Sequence, residues 1–351
     1  MATFNTLVIS KIQRETSKAV SISFDVPESL KNTYAFEAGQ YLTLKTKIDG
    51  QEIRRDYSIS SSPKSNDLTV TIKEIENGIF SSFANQELKV GESIAVAPPK
   101  GRFTYTTNSD RQNTIVAFAA GSGITPIMSI LKTVLDTNTS QKFVLVYGNK
   151  TPEETIFFKL LHDLKTQYPT RFELQYVYSQ AQAESALFGR IDRGNTNYSL
   201  KNLINIDQTS AFYLCGPEKM IHTVKEVLLQ HNVCEDDILF ELFTATTTVA
   251  EAEVSIPSGP TKATVLVDDE TTEISVNSEQ TILEAALKHD VDVPYSCQGG
   301  VCSSCICRIT KGTAEMRQNS VLTDGEVAEG LVLSCQAVPT SAVIHIDFDD
   351  V

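Results

Sequence analysis

The sequence predicts a multidomain chain: an antiparallel β-barrel, a doubly wound α/β domain on a parallel sheet, and a small mixed sheet with clustered cysteines. Three observations carry this. Short β-branched strands between Gly, Pro and Asp punctuation fill the first third. Apolar strands alternate with helical stretches through the middle. Four of the seven cysteines then fall within 11 residues, Cys297 to Cys307. A length of 351 residues allows two or three domains, each able to bury a core.

Residues 1–108 hold six strand-like stretches: TLVISKIQ, AVSISFDV, QYLTLKTKI, EIRRDYSIS, LTVTIKEI and SIAVAPP. Such spacing suggests a small antiparallel barrel, interrupted by one helix-like piece, GIFSSFANQEL. Within it stands Arg55-Asp56-Tyr57-Ser58. Alternation along a strand puts Arg55 and Tyr57 on one face and Ser58 on the other. An Arg there can grip a phosphate, a Tyr can lie along an aromatic ring, and Ser58 can reach a polar ring atom. Such residues are also common on strands that bind nothing. Ile72-Lys73 and Gly78-Ile79-Phe80-Ser81-Ser82 strengthen the ligand reading. Gly78 is expected to free the backbone, and Ser81 and Ser82 to begin a helix whose amides attract phosphate.

Residues 109–245 change period. TIVAFAA, KFVLVYGN, FELQYVYSQ, FYLCG and ILFELF read as strands; helices are expected up to Leu135, from Pro152 to Gln167 and from Glu218 to Gln230. A parallel doubly wound sheet binds ligands outside the carboxyl ends of its strands, and two glycine turns fall there. Gly121-Ser122-Gly123-Ile124-Thr125-Pro126 is not the full G-x-G-x-x-G fingerprint and reads equally as a plain strand-to-helix turn. Cys215-Gly216-Pro217 is the second. A lone Cys is usually packing; beside a dinucleotide crevice Cys215 becomes a candidate for contact with a nicotinamide. The third strand ends in Tyr178-Ser179-Gln180 with no acidic residue at its end, although Glu184 lies near, and Arg190 and Arg193 follow. An Arg near the second ribose accommodates a 2′-phosphate, so NADPH is expected, with NADH possible.

Residues 246–262 lose all periodicity and read as a linker. Residues 263–351 begin with strands ATVLVDD and TEISV, then a helix from Glu279 to His289, the cysteine loop, and strands CICRITKG and AVIHIDF. Cys297, Cys302 and Cys305 are spaced C-x4-C-x2-C, and Cys335 follows after 29 residues. That is the ligand spacing of a plant-type [2Fe–2S] cluster. A zinc ribbon needs a second C-x2-C pair, which is missing. A disulfide framework does not suit a chain of this size without a signal peptide, and core cysteines do not gather so densely. Cys307 shares a strand face with Cys305 and stands as the rival ligand.

Net charge is −14. Residues 263–351 hold 15 acidic against 4 basic residues, a net of −11, which leaves −3 for the rest. Nucleic acid is excluded as a partner. The acidic end serves either solubility or the steering of a basic protein partner. No apolar run reaches membrane-span length, so no membrane partner is expected. The start, MATFNTLVISKIQRE, lacks a basic-then-apolar signal pattern, and a cluster-bearing chain fits a reducing cytoplasm.

Together the three segments resemble the ferredoxin–NADP reductase superfamily with a plant-type ferredoxin fused at the C-terminus. RDYS is similar to that family's R-x-Y-S flavin motif, GSGITP to its glycine turn, and CGP with the late ELF to its C-G-P and Glu-x-aromatic pair. The resemblance implies an FAD held by Arg55, Tyr57 and Ser58 and lined by Ile72, Lys73, Gly78, Ser81 and Ser82. It implies a nicotinamide dinucleotide on Gly121, Gly123, Thr125 and Pro126, beside Gly216 and Pro217 of the C-G-P turn; the strand-end reading adds Ser179 and Arg190. Ser58 would then lie near the reactive flavin nitrogen as a catalytic residue with Cys215 and Glu241, which would flank the hydride path, Phe243 would cover the flavin, and a β-grasp ferredoxin domain would hold the cluster on Cys297, Cys302, Cys305 and Cys335. Phe243 stands where photosynthetic members carry Tyr.

The expected function is an NAD(P)H-dependent reductase that passes electrons through FAD and a [2Fe–2S] cluster to the oxygenase component of a multicomponent monooxygenase. A flavin is needed because nicotinamide moves electron pairs and the cluster single electrons. Alternatives are a ring-hydroxylating dioxygenase as acceptor, FMN in place of FAD, and a non-catalytic iron–sulfur carrier or redox sensor.

Overall fold

A computed structural model describes residues 4–105, 113–137, 140–243 and 260–351. The chain divides into two compact units, Asn5–Thr244 and a second made of Met1–Phe4 with Ala245–Val351. The expected boundaries at 108/109 and 245/246 lie outside the described residues.

The first unit opens with β1 (Asn5–Thr16), β2 (Ala19–Asp25), β3 (Tyr41–Ile48), β4 (Gln51–Ser58), β5 (Leu68–Lys73) and β6 (Ser93–Val96), with α1 (Ile79–Gln86) between the last two. These strands form one sheet in the order β4-β3-β6-β1-β2-β5, with every pairing antiparallel. A bridge between Ile59 and Val70 joins the two edges. The sheet thereby closes immediately after Ser58, which removes its open edges. Alternating side chains fill the interior: Leu7, Ile9, Ile22, Leu44, Val70 and Ile72 are all fully buried.

The same unit continues with β7 (Thr114–Ala120), α2 (Ile124–Thr137), β8 (Phe143–Asn149), α3 (Phe158–Gln167), β9 (Phe172–Tyr178), β10 (Leu187–Phe188), α4 (Arg193–Asn202), β11 (Thr209–Gly216), α5 (Glu218–Gln230) and β12 (Ile238–Leu242). The sheet is parallel, in the order β10-β9-β8-β7-β11-β12. The chain runs outward from β7 to one edge and returns to β11 at β7's other side, so the order reverses between β7 and β11. A doubly wound sheet opens its ligand crevice at that point. Helix α2 is apolar nearly all round and correspondingly buried. Two of its last carbonyls are closed from outside the helix: Arg171 donates to Val134 O and Leu135 O, and also to Gln141 O just beyond the helix, each at 3.1 Å. Two expectations need correction. The helix expected from Pro152 is broken by Phe157 in the left-handed region (φ 63°), so only Phe158–Gln167 is α-helical. Strand β10 and helix α4 were not expected; α4 is capped by Asp192, whose carboxylate accepts from Asn195 N at 2.9 Å.

The second unit contains β13 (Thr261–Val267), β14 (Glu270–Val276), α6 (Ile282–Lys288), β15 (Ile306–Lys311), β16 (Ala314–Met316), α7 (Asp324–Ala328), β17 (Leu331–Leu333), β18 (Ala337–Pro339) and β19 (Val343–Asp347). Its main sheet runs β14-β13-β19-β15-β17, with β13 and β19 parallel and the other pairs antiparallel; β16 and β18 pair separately. Thr261 and Lys262 already sit in β13, so they are not linker. The helix expected from Glu279 starts three residues later. Glu279 has φ 67°, and Thr281 caps α6 in a reciprocal box with Glu284.

Candidate functional site

Ser58 ends β4 where the barrel closes, and the neighbouring motif residues spread over the two strand faces. Tyr57 tilts over Phe80 of α1, ring centroids 5.5 Å apart. Burial pushes its hydroxyl far up, with the Arg55 cation pulling the other way. Arg55 spends one nitrogen on Arg54 O at 2.7 Å. At Gly78 the backbone is ordinary (φ −82°), so conformational freedom is not its role. A Cβ there would stand 2.3 Å from Ser81 Oγ and 2.4 Å from Ile75 Cγ1; the glycine is needed for room. Ser81 Oγ donates to Gly78 O at 3.1 Å and accepts from Ile75 N at 3.2 Å, which fastens the turn. Helix α1 begins at Ile79, not at the serines. Its first internal bond is Ser82 N to Gly78 O at 2.9 Å, so the amides of Ile79 to Ser81 precede it and form a positive end suited to phosphate. The Ile72 side chain is fully buried in the barrel core and its carbonyl accepts from Asn85 Nδ2 at 3.2 Å, so any contact of this residue with a ligand falls to its backbone.

Both glycine turns sit at the reversal of strand order. Gly121–Gly123 is a 3-10 turn between β7 and α2. A Cβ on Gly123 would lie 2.2 Å from Cys215 O; the two turns touch only because no side chain stands there. Thr125 Oγ1 donates to Ser122 O at 3.1 Å, and Pro126 sits in the first turn of α2, where its missing N–H costs nothing. Gly216 ends β11, and Pro217 caps α5. Lys73 comes to this crevice rather than staying with the barrel motif: its Nζ lies 3.7 Å from where a Gly121 Cβ would stand. Burial draws its pKa down, Glu154 opposes, and Lys150 and Lys18 add to the lowering.

At the same place three groups from distant segments converge. Cys215 and Glu241 are register partners on β11 and β12, and Ser58 Oγ donates to Glu241 Oε2 at 3.4 Å. Burial raises the Glu241 carboxyl to about 8; the Ser58 bond opposes this, and Asp56 adds to it. Cys215 is fully buried, which holds its thiol protonated, with Glu241 reinforcing the effect. Phe243 packs partly buried against the α/β core. Farther along the crevice, Ser179 N donates to Asn149 O at 3.0 Å, and Arg190 is exposed. Arg193 is drawn away from it, to Glu226 and Gln230 of α5 at 2.7 Å each.

In the second unit the cysteines form two pairs. Cys302 Sγ donates to Cys297 Sγ at 3.1 Å; Cys305 hydrogen-bonds Cys335. The Cys302 bond, joined by the amides of Gly299, Val301 and Cys302, lowers Cys297 to about 5 against its burial. Cys305 lowers Cys335 likewise, helped by the Gly300 amide and Gln336. Four sulfurs in two pairs, with N–H groups aimed at them, fit a cluster that needs two thiolates on each of two irons. Cys307 is fully buried within β15, and burial pushes its thiol far up.

Three family matches cover the chain in order: an oxidoreductase FAD-binding domain over residues 6–105, an oxidoreductase NAD-binding domain over 118–226, and a 2Fe-2S iron-sulfur cluster binding domain over 265–340. One component of the 1,2-phenylacetyl-CoA epoxidase of Escherichia coli (strain K12) is 39% identical over 99% of both chains. The chain belongs to this family of three-domain flavin and iron–sulfur reductases. The ferredoxin reductase component of the 3-ketosteroid-9-alpha-monooxygenase of Rhodococcus rhodochrous is 32% identical, over 97% of this chain and 96% of that protein. Among solved structures, phthalate dioxygenase reductase matches 98% of both chains with a TM-score of 0.62 at 23% identity.

The reductase is therefore an oxidoreductase with FAD, nicotinamide and [2Fe–2S] domains. Among its described residues, no helix is long and apolar enough to cross a membrane. Sequence reasoning missed Lys150 and Glu154, whose charges bear on Lys73, and Asp56, which faces Glu241. No motif marks Lys150 or Glu154. Asp56 was in view inside RDYS, but only the fold shows its carboxylate accepting from Thr43 Oγ1 at 2.7 Å.

Proposed function

We propose that the reductase takes electrons from NADPH and delivers them to the oxygenase component of a phenylacetyl-CoA epoxidase. The observation that carries the acceptor is the full-length identity of 39% to a component of that epoxidase. Bound FAD supplies the exchange between a two-electron hydride donor and the one-electron [2Fe–2S] cluster. Arg55, Tyr57 and the first turn of α1 would hold the flavin, and Cys297, Cys302, Cys305 and Cys335 the cluster, paired as the sulfurs are found. Gly121, Gly123 and Lys73 would receive the dinucleotide, with Arg190 on its 2′-phosphate. Ser58 and Glu241 form a proton-holding pair. With its carboxyl raised to about 8, Glu241 carries a proton at neutral pH and adds no anionic charge where electrons arrive. Cys215 fills the wall behind it.

The test is reconstitution. Purified reductase, NADPH and the oxygenase component of a phenylacetyl-CoA epoxidase should convert phenylacetyl-CoA to its epoxide. Turnover with a 3-ketosteroid 9α-monooxygenase oxygenase, and none with the epoxidase, would reassign the acceptor.

A further inference from the structure

We propose that Ser129 and Lys132 of α2 are positioning residues that set the nicotinamide turn against the flavin motif. They stand three residues apart, on one face of the helix. Ser129 Oγ donates to Ser61 O at 2.6 Å, and Lys132 Nζ to Ser60 O at 3.0 Å. Both acceptors lie just past Ser58, in the stretch that closes the barrel. That stretch is itself tied down: Ser60 Oγ shares a hydrogen bond with Thr71 Oγ1 at 2.9 Å, and Ser61 Oγ accepts from Thr69 N at 3.1 Å. Ser60, Ser61 and Ser129 are 2%, 5% and 0% exposed.

A buried polar seam is unfavourable unless every group is bonded, and apolar packing alone can hold two domains together. What hydrogen bonds add is direction. The seam therefore fixes the rotation of α2 against the barrel as well as its adhesion. Burial lowers the pKa of Lys132, and the carboxylates of Glu15, Asp136 and Asp67 hold its charge in place. Ser129 lies five residues beyond Ile124, about 7.5 Å along the axis, and Ser60 lies two residues beyond Ser58. One short rigid path thus links Gly121–Gly123 to Ser58 and Glu241. Hydride transfer needs reacting atoms about 3–3.5 Å apart, and an error of about 1 Å can cost ~100-fold in rate.

This inference rests on nicotinamide-to-flavin electron transfer. The full-length, flavin-loaded protein is compared as Ser129→Ala, as the double variant Ser129→Ala with Lys132→Met, and as Lys132→Arg. Stopped-flow bleaching gives the limiting flavin reduction rate and the NADPH dissociation constant; the nicotinamide–flavin charge-transfer absorbance reports their stacking. Hydrogen exchange at residues 59–62 of the flavin-free protein reports the seam itself. The double variant should exchange faster there, lose at least ~10-fold in limiting rate and part of the charge-transfer band, and change NADPH affinity less than ~3-fold. Lys132→Arg should keep the wild-type rate, and Ser129→Ala alone should fall between the wild type and the double variant. Faster exchange with an unchanged limiting rate would overturn the proposal, as would a rate loss that only tracks lost flavin. A wild-type flavin that neither NADPH nor NADH bleaches would overturn the electron-transfer reading itself, and this proposal with it.

Discussion

Glu241 shows how much one residue depends on its surroundings. An acid whose folded pKa is raised contributes stability that is complete below its unfolded pKa, about 4.3, and is lost as pH rises through the folded value, here about 8. Between pH 5 and 8, approximately the window set by those two values, the wild type should lose melting temperature relative to Glu241→Gln; parallel melting curves would remove the argument. The cysteines give a second residue-scale prediction. Serine at Cys297, Cys302, Cys305 or Cys335 should abolish the iron–sulfur chromophore and leave flavin bound, while Cys307→Ser should keep both, by iron and sulfide analysis. A chromophore lost only with Cys307 would replace the ligand set. These cysteines were legible because ligand spacing is written along the chain. Lys73 was legible as a residue but not in its place, because only the packing of β5 against the Gly121 turn brings its ammonium to the crevice.

At the scale of elements, period alone located the six barrel strands, the five longer parallel strands and helix α5. It missed α4 because RGNTNYSLKN has no apolar stripe; its buried face is Thr196, Ser199 and Leu200. It missed β10 because two residues show no alternation. The break at Phe157 was invisible for a different reason: a left-handed aromatic residue is imposed by tertiary contacts and not by propensity. The β10–α4 segment carries the coenzyme prediction. Arg190→Ala should raise KM for NADPH by about tenfold or more, the worth of a charge-assisted phosphate contact, and leave KM for NADH nearly unchanged. Equal effects on the two coenzymes would remove Arg190 from the 2′-phosphate.

For the whole molecule, the compact unit ends at Thr244 and the parallel sheet is complete at Leu242. A chain ending near Phe243 should fold, bind FAD and reduce ferricyanide with NADPH, yet fail to drive an oxygenase. Residues 260–351 supplied separately should restore transfer weakly, since a tether gives a high effective concentration. A truncated chain that still drives the oxygenase would make the cluster dispensable. Transfer by the intact protein should fall as salt rises, because the C-terminal residues 263–351 carry −11 of the total −14; rates that ignore salt would rule out charge steering.

The closure of α2 by Arg171 has a consequence for how such a reductase can change over time. The helix is anchored at its far end by two bonds from one guanidinium, whose third bond holds Gln141 just beyond it, and at its near end by the glycine turn. Arg190, by contrast, follows a strand of two residues and stands in solvent. Under the proposed roles of Arg190 and α2, coenzyme choice and transfer geometry fall on separable parts of the chain. A lineage, or a design campaign, could then exchange one coenzyme for the other by substitutions around residues 184–193 while α2 keeps its alignment.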